Sequence, residues 1–246
     1  YAQELECDFT AAVKGTYYAA LIHQLEAEGM IGPQPDLYDP MLPVQAVMDL
    51  GRTDSTAVWF WQEPEDTDEI VVIDYVEMKG EIIEDHIKMF HSKGHKLEKL
   101  WVPHDAKAKT VQTRRSSIEQ FRDAGFNVSL VPNIARQQGI DAVRMMLPAC
   151  RIDNKKCYLG VEALRAYRRE YNELTKTYRD TPLHNWASDG SDSFRYLSLV
   201  ARQKRGTLSK PKPVILQSEP VAYTLSELYE SRDEGNVLSL SRGRIR

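Results

Sequence analysis

Residues 44–78 decide the fold, and they read VQAVMDLGRTDSTAVWFWQEPEDTDEIVVIDYVEM. Three runs in this stretch are rich in β-branched and aromatic residues: Val44–Leu50, Thr56–Trp61 and Ile70–Met78. The short polar segments between them, Gly51–Ser55 and Glu63–Asp68, have the composition of turns. Because strands joined by such short connections pair in opposite directions, the stretch predicts an antiparallel three-stranded meander.

The rest of the chain alternates helical and extended patterns. Apolar spacing predicts two more strands, Leu97–Val102 and Val128–Val131, and helices at residues 12–29, Ile82–Ser92, Ser116–Ala124, Ile140–Leu147, Val161–Leu174 and 188–201. Helices between the later strands indicate parallel pairing through crossovers. The predicted fold class is therefore α/β, with a mixed sheet whose first three strands are antiparallel, flanked by helices.

Composition and length predict a soluble globular protein. The 246 residues are 42% hydrophobic and 28% charged, which suits one good core. No apolar run is long enough to span a bilayer, no signal peptide opens the chain, and the three cysteines show no metal-ligand spacing. A reducing, cytosolic setting follows, and the first residue, Tyr1, predicts a processed chain or a fragment. The net charge of −4 argues against a general DNA coat but not against a nuclease.

Two acidic residues stand at the ends of predicted strands. Asp49 lies in an apolar run that continues with Leu50, so its carboxylate would be buried and would need a partner, although aspartate before Gly51 is also common in turns. Asp105 follows Leu97–Val102, where α/β folds collect ligands, and it is equally well explained as a turn residue. Asp54 is either a plain turn residue or a support for the ligands.

Two further acids open the last predicted helix, within Ser188–Tyr196. Asp189 is better explained as a helix cap than as a ligand, and otherwise as a residue that supports the ligands. Asp192 alone is explained as a first-turn acid that the helix dipole favours. Together with Asp49 and Asp105, however, Asp192 predicts a cage of hard oxygen ligands. Two-metal phosphodiester hydrolysis needs such ligands around two cations roughly 4 Å apart. The expected cofactors are therefore two divalent ions, Mg²⁺ or Mn²⁺.

Histidines and cations surround these acids. His104 and His184 flank the candidate ligands and either support them or are ordinary turn residues. Candidate DNA-binding cations lie on two segments: Lys107, Lys109, Arg114, Arg115, Lys176 and Arg179. Such charges are usually solvated faces, but next to tyrosines they also suit a groove for a nucleic-acid backbone.

Three segments resemble the nuclease domain of tailed-bacteriophage terminase large subunits. They are DLGRTDST at Asp49–Thr56, PHDA at Pro103–Ala106 and HNWASDGSDSFRY at His184–Tyr196, within a resemblance that covers roughly residues 4–203. ECDF at Glu6–Phe9 is similar to the segment that joins that domain to the upstream packaging ATPase. Asp189 departs from the family pattern, in which histidine is frequent at that position.

The resemblance implies an RNase H-like fold and a two-metal endonuclease that cuts concatemeric viral DNA during genome packaging. It implies that Asp49 and Asp105 are the strand-borne metal ligands and Asp192 the helix-borne one. A β-hairpin within Leu174–Pro182 would bring Lys176 and Arg179 near the DNA.

The same resemblance implies domains, partners and place. Residues 1–40 would be a helical linker from an upstream ATPase domain, residues 41–205 the nuclease, and residues 206–246 a flexible tail. The implied partners are double-stranded DNA, that ATPase domain, the portal protein and the small terminase subunit, with no membrane, in the host cytoplasm. This sequence has no nucleotide-hydrolysing phosphate loop of its own.

Two alternatives remain open. A Holliday-junction resolvase or an RNase H would use the same acids on another substrate. A non-catalytic module that docks DNA or a portal protein would keep them without cleavage.

Overall fold

The computed structural model describes residues 15–51, 55–80, 82–108 and 115–201. Three predicted site residues, Asp54, Lys109 and Arg114, lie outside these ranges, as do Glu6–Phe9 and the predicted tail, residues 206–246.

Nine strands and six α-helices make up the described part of the chain. The strands are β1 Ile31–Gly32, β2 Val44–Asp49, β3 Ser55–Gln62, β4 Ile70–Lys79, β5 Leu97–Val102, β6 Val128–Leu130, β7 Cys150–Asp153, β8 Arg169–Asn172 and β9 Thr177–Pro182. The helices are α1 Ala19–Ala27, α2 Ile83–Lys93, α3 Ser117–Asp123, α4 Arg136–Met146, α5 Asn154–Ala166 and α6 Ala187–Val200. Short 3₁₀ turns follow β5 at His104–Lys107 and α4 at Leu147–Ala149. Over the described residues, no helix is long and apolar enough to cross a membrane.

Seven strands form one mixed sheet in the order β1-β7-β4-β3-β2-β5-β6. β2, β3 and β4 are antiparallel neighbours, as the meander predicted, and β5, β6, β7 and β1 join by parallel pairing. The predicted mixed sheet with helical crossovers is therefore confirmed. β8 and β9 form a separate antiparallel hairpin.

The sheet is buried on both faces, which explains the near-continuous apolar runs in its central strands. Every residue of β3 is buried. Trp59 and Trp61 face a core shared with α1, α5 and α6, whereas Phe60 faces a second core that includes Phe90 of α2 and Phe121 of α3. The alternation along β3 thus places the aromatic side chains into two helical layers.

The predicted helix Val161–Leu174 is wrong in its second half. α5 ends at Ala166, and the chain then turns into the β8–β9 hairpin. Tyr167 continues the apolar stripe and is buried, but Leu174 is 95% exposed. The predicted apolar stripe therefore combined one core residue with a residue at the tip of a hairpin. Strand β7 was not predicted, because it is short and contains Arg151.

Candidate active site

The carboxyl ends of two parallel strands bring the first two candidate acids to the same edge of the sheet. Asp49 is the last residue of β2, and Asp105 lies in the 3₁₀ turn that follows β5. β2 and β5 pair directly, with Val47 opposite Trp101. Side chains that follow neighbouring parallel strands meet at one edge, which is where α/β folds bind ligands.

Helix α6 brings the third acid to this edge because small residues let it approach the sheet closely. The hydroxyl of Ser193 donates to the carbonyl of Val47 at 3.3 Å, and the indole N–H of Trp59 donates to the carbonyl of Gly190 at 2.8 Å. A Cβ at position 190 would lie 2.7 Å from the hydroxyl oxygen of Tyr75. These contacts therefore fix α6 on β2 and β3 at Gly190 and Ser193, on either side of Asp192 in the sequence.

The electrostatics of Asp49 show that the acids share one site. Burial, followed by the carboxylates of Asp192, Asp105 and Asp189, raises the pKa of Asp49 from 3.8 to about 7, against the opposing effect of Arg195. Asp49 thus lies within electrostatic range of the other two predicted ligands and of Asp189. Asp189 also accepts a hydrogen bond from the backbone N–H of Ser55 at 3.2 Å, a contact to the sheet that a helix-cap role did not anticipate.

Two residues hold the carboxylate of Asp192, and sequence reasoning had given neither a role in the site. Oδ1 of Asp192 accepts from the hydroxyl of Tyr167 at 3.1 Å and from Nε of Arg195 at 3.2 Å. Burial, followed by the charge of Asp192, raises the pKa of the Tyr167 hydroxyl, so it remains a donor. Arg195 is three residues after Asp192 on α6, a spacing that could have indicated the pair.

Tyr167 is itself held by an aromatic cluster at the start of the described chain. Its ring stacks on that of Tyr18, with centroids 5.8 Å apart, and its carbonyl accepts from the backbone N–H of Tyr17 at 2.9 Å. The hydroxyl of Tyr18 is buried without a hydrogen-bond partner in the described residues. Tyr167, which donates to Asp192, is therefore held in place by the segment that leads into α1.

The remaining predicted residues differ in their surroundings. His104, Asp105 and Lys107 are exposed on the 3₁₀ turn, and His184 is exposed before α6. The other three described cations are each paired with a local carboxylate: Arg115 with Asp123 at 2.6 Å, Lys176 with Glu173 at 3.0 Å, and Arg179 with Glu170 at 3.0 Å. Their roles in DNA binding stay predictions.

The donor set suits a hard divalent cation. Within the described ranges, no three His, Cys, Asp or Glu side chains form a ready-made metal-binding group. The oxygens of Asp49, Asp105 and Asp192 are nevertheless the ligands that Mg²⁺ and Mn²⁺ prefer. Burial and, after it, the charges of the neighbouring carboxylates raise the pKa of Asp49, and a bound cation would favour its ionised form.

The sequence matches no family model and no curated protein. Several solved structures have a similar fold. The P22 large terminase nuclease domain has a TM-score of 0.52 and 20% identity over 70% of this chain and 88% of that one. The large terminase nuclease of thermophilic phage G20c with bound cobalt has a TM-score of 0.50 and 14% identity over 76% of this chain and 97% of that one.

A longer protein shares the same fold over part of its length. The large terminase of thermophilic bacteriophage D6E in complex with ADP has a TM-score of 0.59 and 14% identity over 76% of this chain. The matched region spans 45% of the D6E chain in that structure and 42% in a second structure of the same crystal form. This chain therefore has the mixed α/β, RNase H-like fold of large terminase nuclease domains.

Proposed function

We propose that this chain is a metal-dependent DNA endonuclease domain of a viral genome-packaging terminase. One observation supports the proposal: Asp105 and Asp192 act electrostatically on Asp49, at the carboxyl edge of a sheet whose fold is that of the P22 and G20c terminase nucleases. The acids come from two strands and one helix far apart in sequence. A purely structural role gives no reason to place three carboxylates near the same edge.

In this proposal the three carboxylates hold two divalent cations, Mg²⁺ or Mn²⁺. When bound, such cations activate water and stabilise the charge that develops on the phosphate. Asp49 would bind the cations in its ionised form, which their positive charge favours. Tyr167 and Arg195 fix one oxygen of Asp192, which leaves its other oxygen for a ligand role.

The wider setting is proposed from the similar proteins. The D6E large terminase was solved with ADP and is more than twice as long as the matched region. We infer an upstream ATPase domain in the full-length protein, action on concatemeric double-stranded DNA, and assembly with a portal protein and a small terminase subunit in the host cytoplasm. Lys107, Lys109, Arg114, Arg115, Lys176 and Arg179 remain the proposed DNA-binding cations.

Cleavage of a linear duplex tests the proposal. The purified chain should nick and cut double-stranded DNA with Mn²⁺ or Mg²⁺, and EDTA should abolish that activity because the carboxylates alone supply no positive charge. A Holliday-junction resolvase would instead prefer a four-way junction, and an RNase H an RNA–DNA hybrid. Absence of both Mn²⁺ binding and nicking would favour a module that only docks DNA or a portal protein.

Replacing Tyr167 with phenylalanine should weaken metal use while keeping the ring in place. The change removes one of the two donors to Oδ1 of Asp192. Loss of a hydrogen bond that orients a ligand typically lowers metal affinity or activity about 10- to 100-fold. We expect the Mn²⁺ concentration for half-maximal cleavage to rise by about tenfold.

Tyr18→Phe is the matched control for this change. The Tyr18 ring stacks on Tyr167, but its buried hydroxyl makes no hydrogen bond with the described residues. The Tyr18→Phe variant should therefore cut DNA at the same rate as the parent chain and with the same Mn²⁺ requirement. Equal behaviour of the two variants would show that Tyr167 supports packing only.

A further inference from the structure

A cavity of about 330 Å³ has Asp105 among its lining residues. Its walls come from the turn after β5, the segment Val131–Ile134 after β6, the first residue of α4, and α6. The volume is at the lower end of the ~300–1,000 Å³ of small-molecule sites. There is room for one nucleotide unit of a strand and no room for a duplex.

Two positively charged side chains line the cavity together with Asp105. They are Arg136 and Arg195, and Asn133 also lines it. Arg136 is exposed, and the described residues include no ion-pair or hydrogen-bond partner for its side chain. The first turn of α4 contains no acidic residue that could neutralise it. An uncommitted arginine beside a group of carboxylates is suited to an anionic ligand.

Arg195 differs from Arg136 because it is buried and held in place. Its Nε donates to Asp192, and its side chain crosses α4 where Gly139 leaves space. A Cβ at position 139 would lie 2.6 Å from Cγ of Arg195. The guanidinium is therefore fixed between the carboxylates and the cavity, whereas Arg136 provides a second, solvent-accessible cation.

We propose that this cavity seats a backbone phosphate of the bound DNA strand, adjacent to the phosphate that is cut. The inference rests on the proposed nuclease function and adds a binding subsite to it. A phosphodiester presents the oxygens that a guanidinium binds with two parallel hydrogen bonds. A phosphate held by Arg136 and Arg195 would place the neighbouring phosphate of the same strand at Asp105, next to the other acids.

The test measures DNA affinity separately from cleavage. Binding of a short labelled duplex is followed in EDTA as salt is raised, using the full chain and its Arg136→Gln variant. Removing one phosphate contact should weaken binding about three- to tenfold and lower the slope of log affinity against log salt by about 1. Lys96→Gln is the charge-matched control, because Lys96 is exposed before β5 at the opposite edge of the sheet.

Each outcome supports or overturns the proposal. Loss of affinity and slope in Arg136→Gln, with Lys96→Gln unchanged, supports it. An unchanged Arg136→Gln variant overturns it, and so does an equal loss in both variants, since that would reflect net charge alone. If the parent chain binds DNA and shows the Arg136 effect but never cuts, the phosphate seat stands and the nuclease function fails. A parent chain that binds no DNA even at low salt overturns both.

Discussion

The Asp49→Asn variant should lose DNA cleavage by at least about a hundredfold while keeping its fold. The charges of Asp192, Asp105 and Asp189 all act on Asp49, so it is the carboxylate that is electrostatically coupled to the other proposed ligands of the site. An amide is a neutral and weaker ligand, and weakening even a residue that orients a metal ligand typically lowers activity 10- to 100-fold. Single-turnover cleavage of a linear duplex at saturating Mn²⁺ measures the effect.

The same variant should be more stable than the parent chain when no metal is present. The pKa of Asp49 is raised from 3.8 to about 7 in the folded protein, chiefly by burial. A carboxyl with a raised pKa contributes stability below its unfolded pKa, and that contribution is lost as pH rises through the folded value. At alkaline pH the ionised group therefore destabilises the fold by roughly 1–4 kcal/mol, which asparagine removes.

Thermal unfolding in EDTA checks this second effect. The advantage of Asp49→Asn should grow as pH rises from about 4 to about 7, between the unfolded and folded pKa values of Asp49, and should level off at higher pH. Asp66→Asn, an isosteric change at an exposed position between β3 and β4, should show no such pH dependence and no loss of cleavage. A fully active Asp49→Asn chain would remove Asp49 from the site, and equal pH profiles would show that its carboxylate is not among the others.

The sequence was most informative where a single physical requirement controlled the pattern. The β3 run is apolar because both faces of the central strand are buried, and β5 was predicted with its observed bounds, Leu97–Val102. β7 escaped prediction because its pairing with β4 and β1, rather than its own composition, makes Cys150–Asp153 a strand. Tertiary pairing of this kind leaves little trace in a short segment.

The same contrast separates the site residues that the sequence indicates from those that it does not. Asp49 was found because an acid inside an apolar run is costly unless it has a purpose. Tyr167 was not found, because it is 25 residues from Asp192 and its ring fits a core stripe equally well. Sequence indicates that a tyrosine is buried, but not where its hydroxyl points. Arg195 shows the converse: the i,i+3 pair with Asp192 is visible in sequence, but its burial is not.

The hairpin cations show how local pairing changes a charge argument. Lys176 and Arg179 were predicted near DNA as part of a basic segment, yet each contacts a glutamate of the same hairpin. Exposed ion pairs are weak, so a polyanion can compete for these lysine and arginine groups. Arg136, by contrast, has no such partner among the described residues, which makes it the sharper test of DNA contact.

The position of Asp192 depends on how closely α5 and α6 approach β3, and Gly160 controls that approach. A Cβ at position 160 would lie 2.4 Å from the Trp59 ring and 2.9 Å from Tyr75. Trp59 cannot move aside, because its N–H is bonded to Gly190 and its ring packs against Tyr75 and Phe194, with centroids 4.6 and 4.9 Å away.

Gly160→Val should therefore lower the free energy of unfolding by about 3 kcal/mol, since overpacking a rigid core forces backbone and ring displacement. For a chain of this size the melting temperature should fall by about 6–12 °C. Gly32→Val is the matched control, because Gly32 is on the edge strand β1 with nothing within 4 Å of its would-be Cβ.

A shifted Trp59 would also pull on the Gly190 carbonyl, two residues before Asp192. Cleavage by Gly160→Val, measured well below its melting temperature, should thus fall as well, whereas a destabilised variant with full activity would show that α6 holds Asp192 without Trp59.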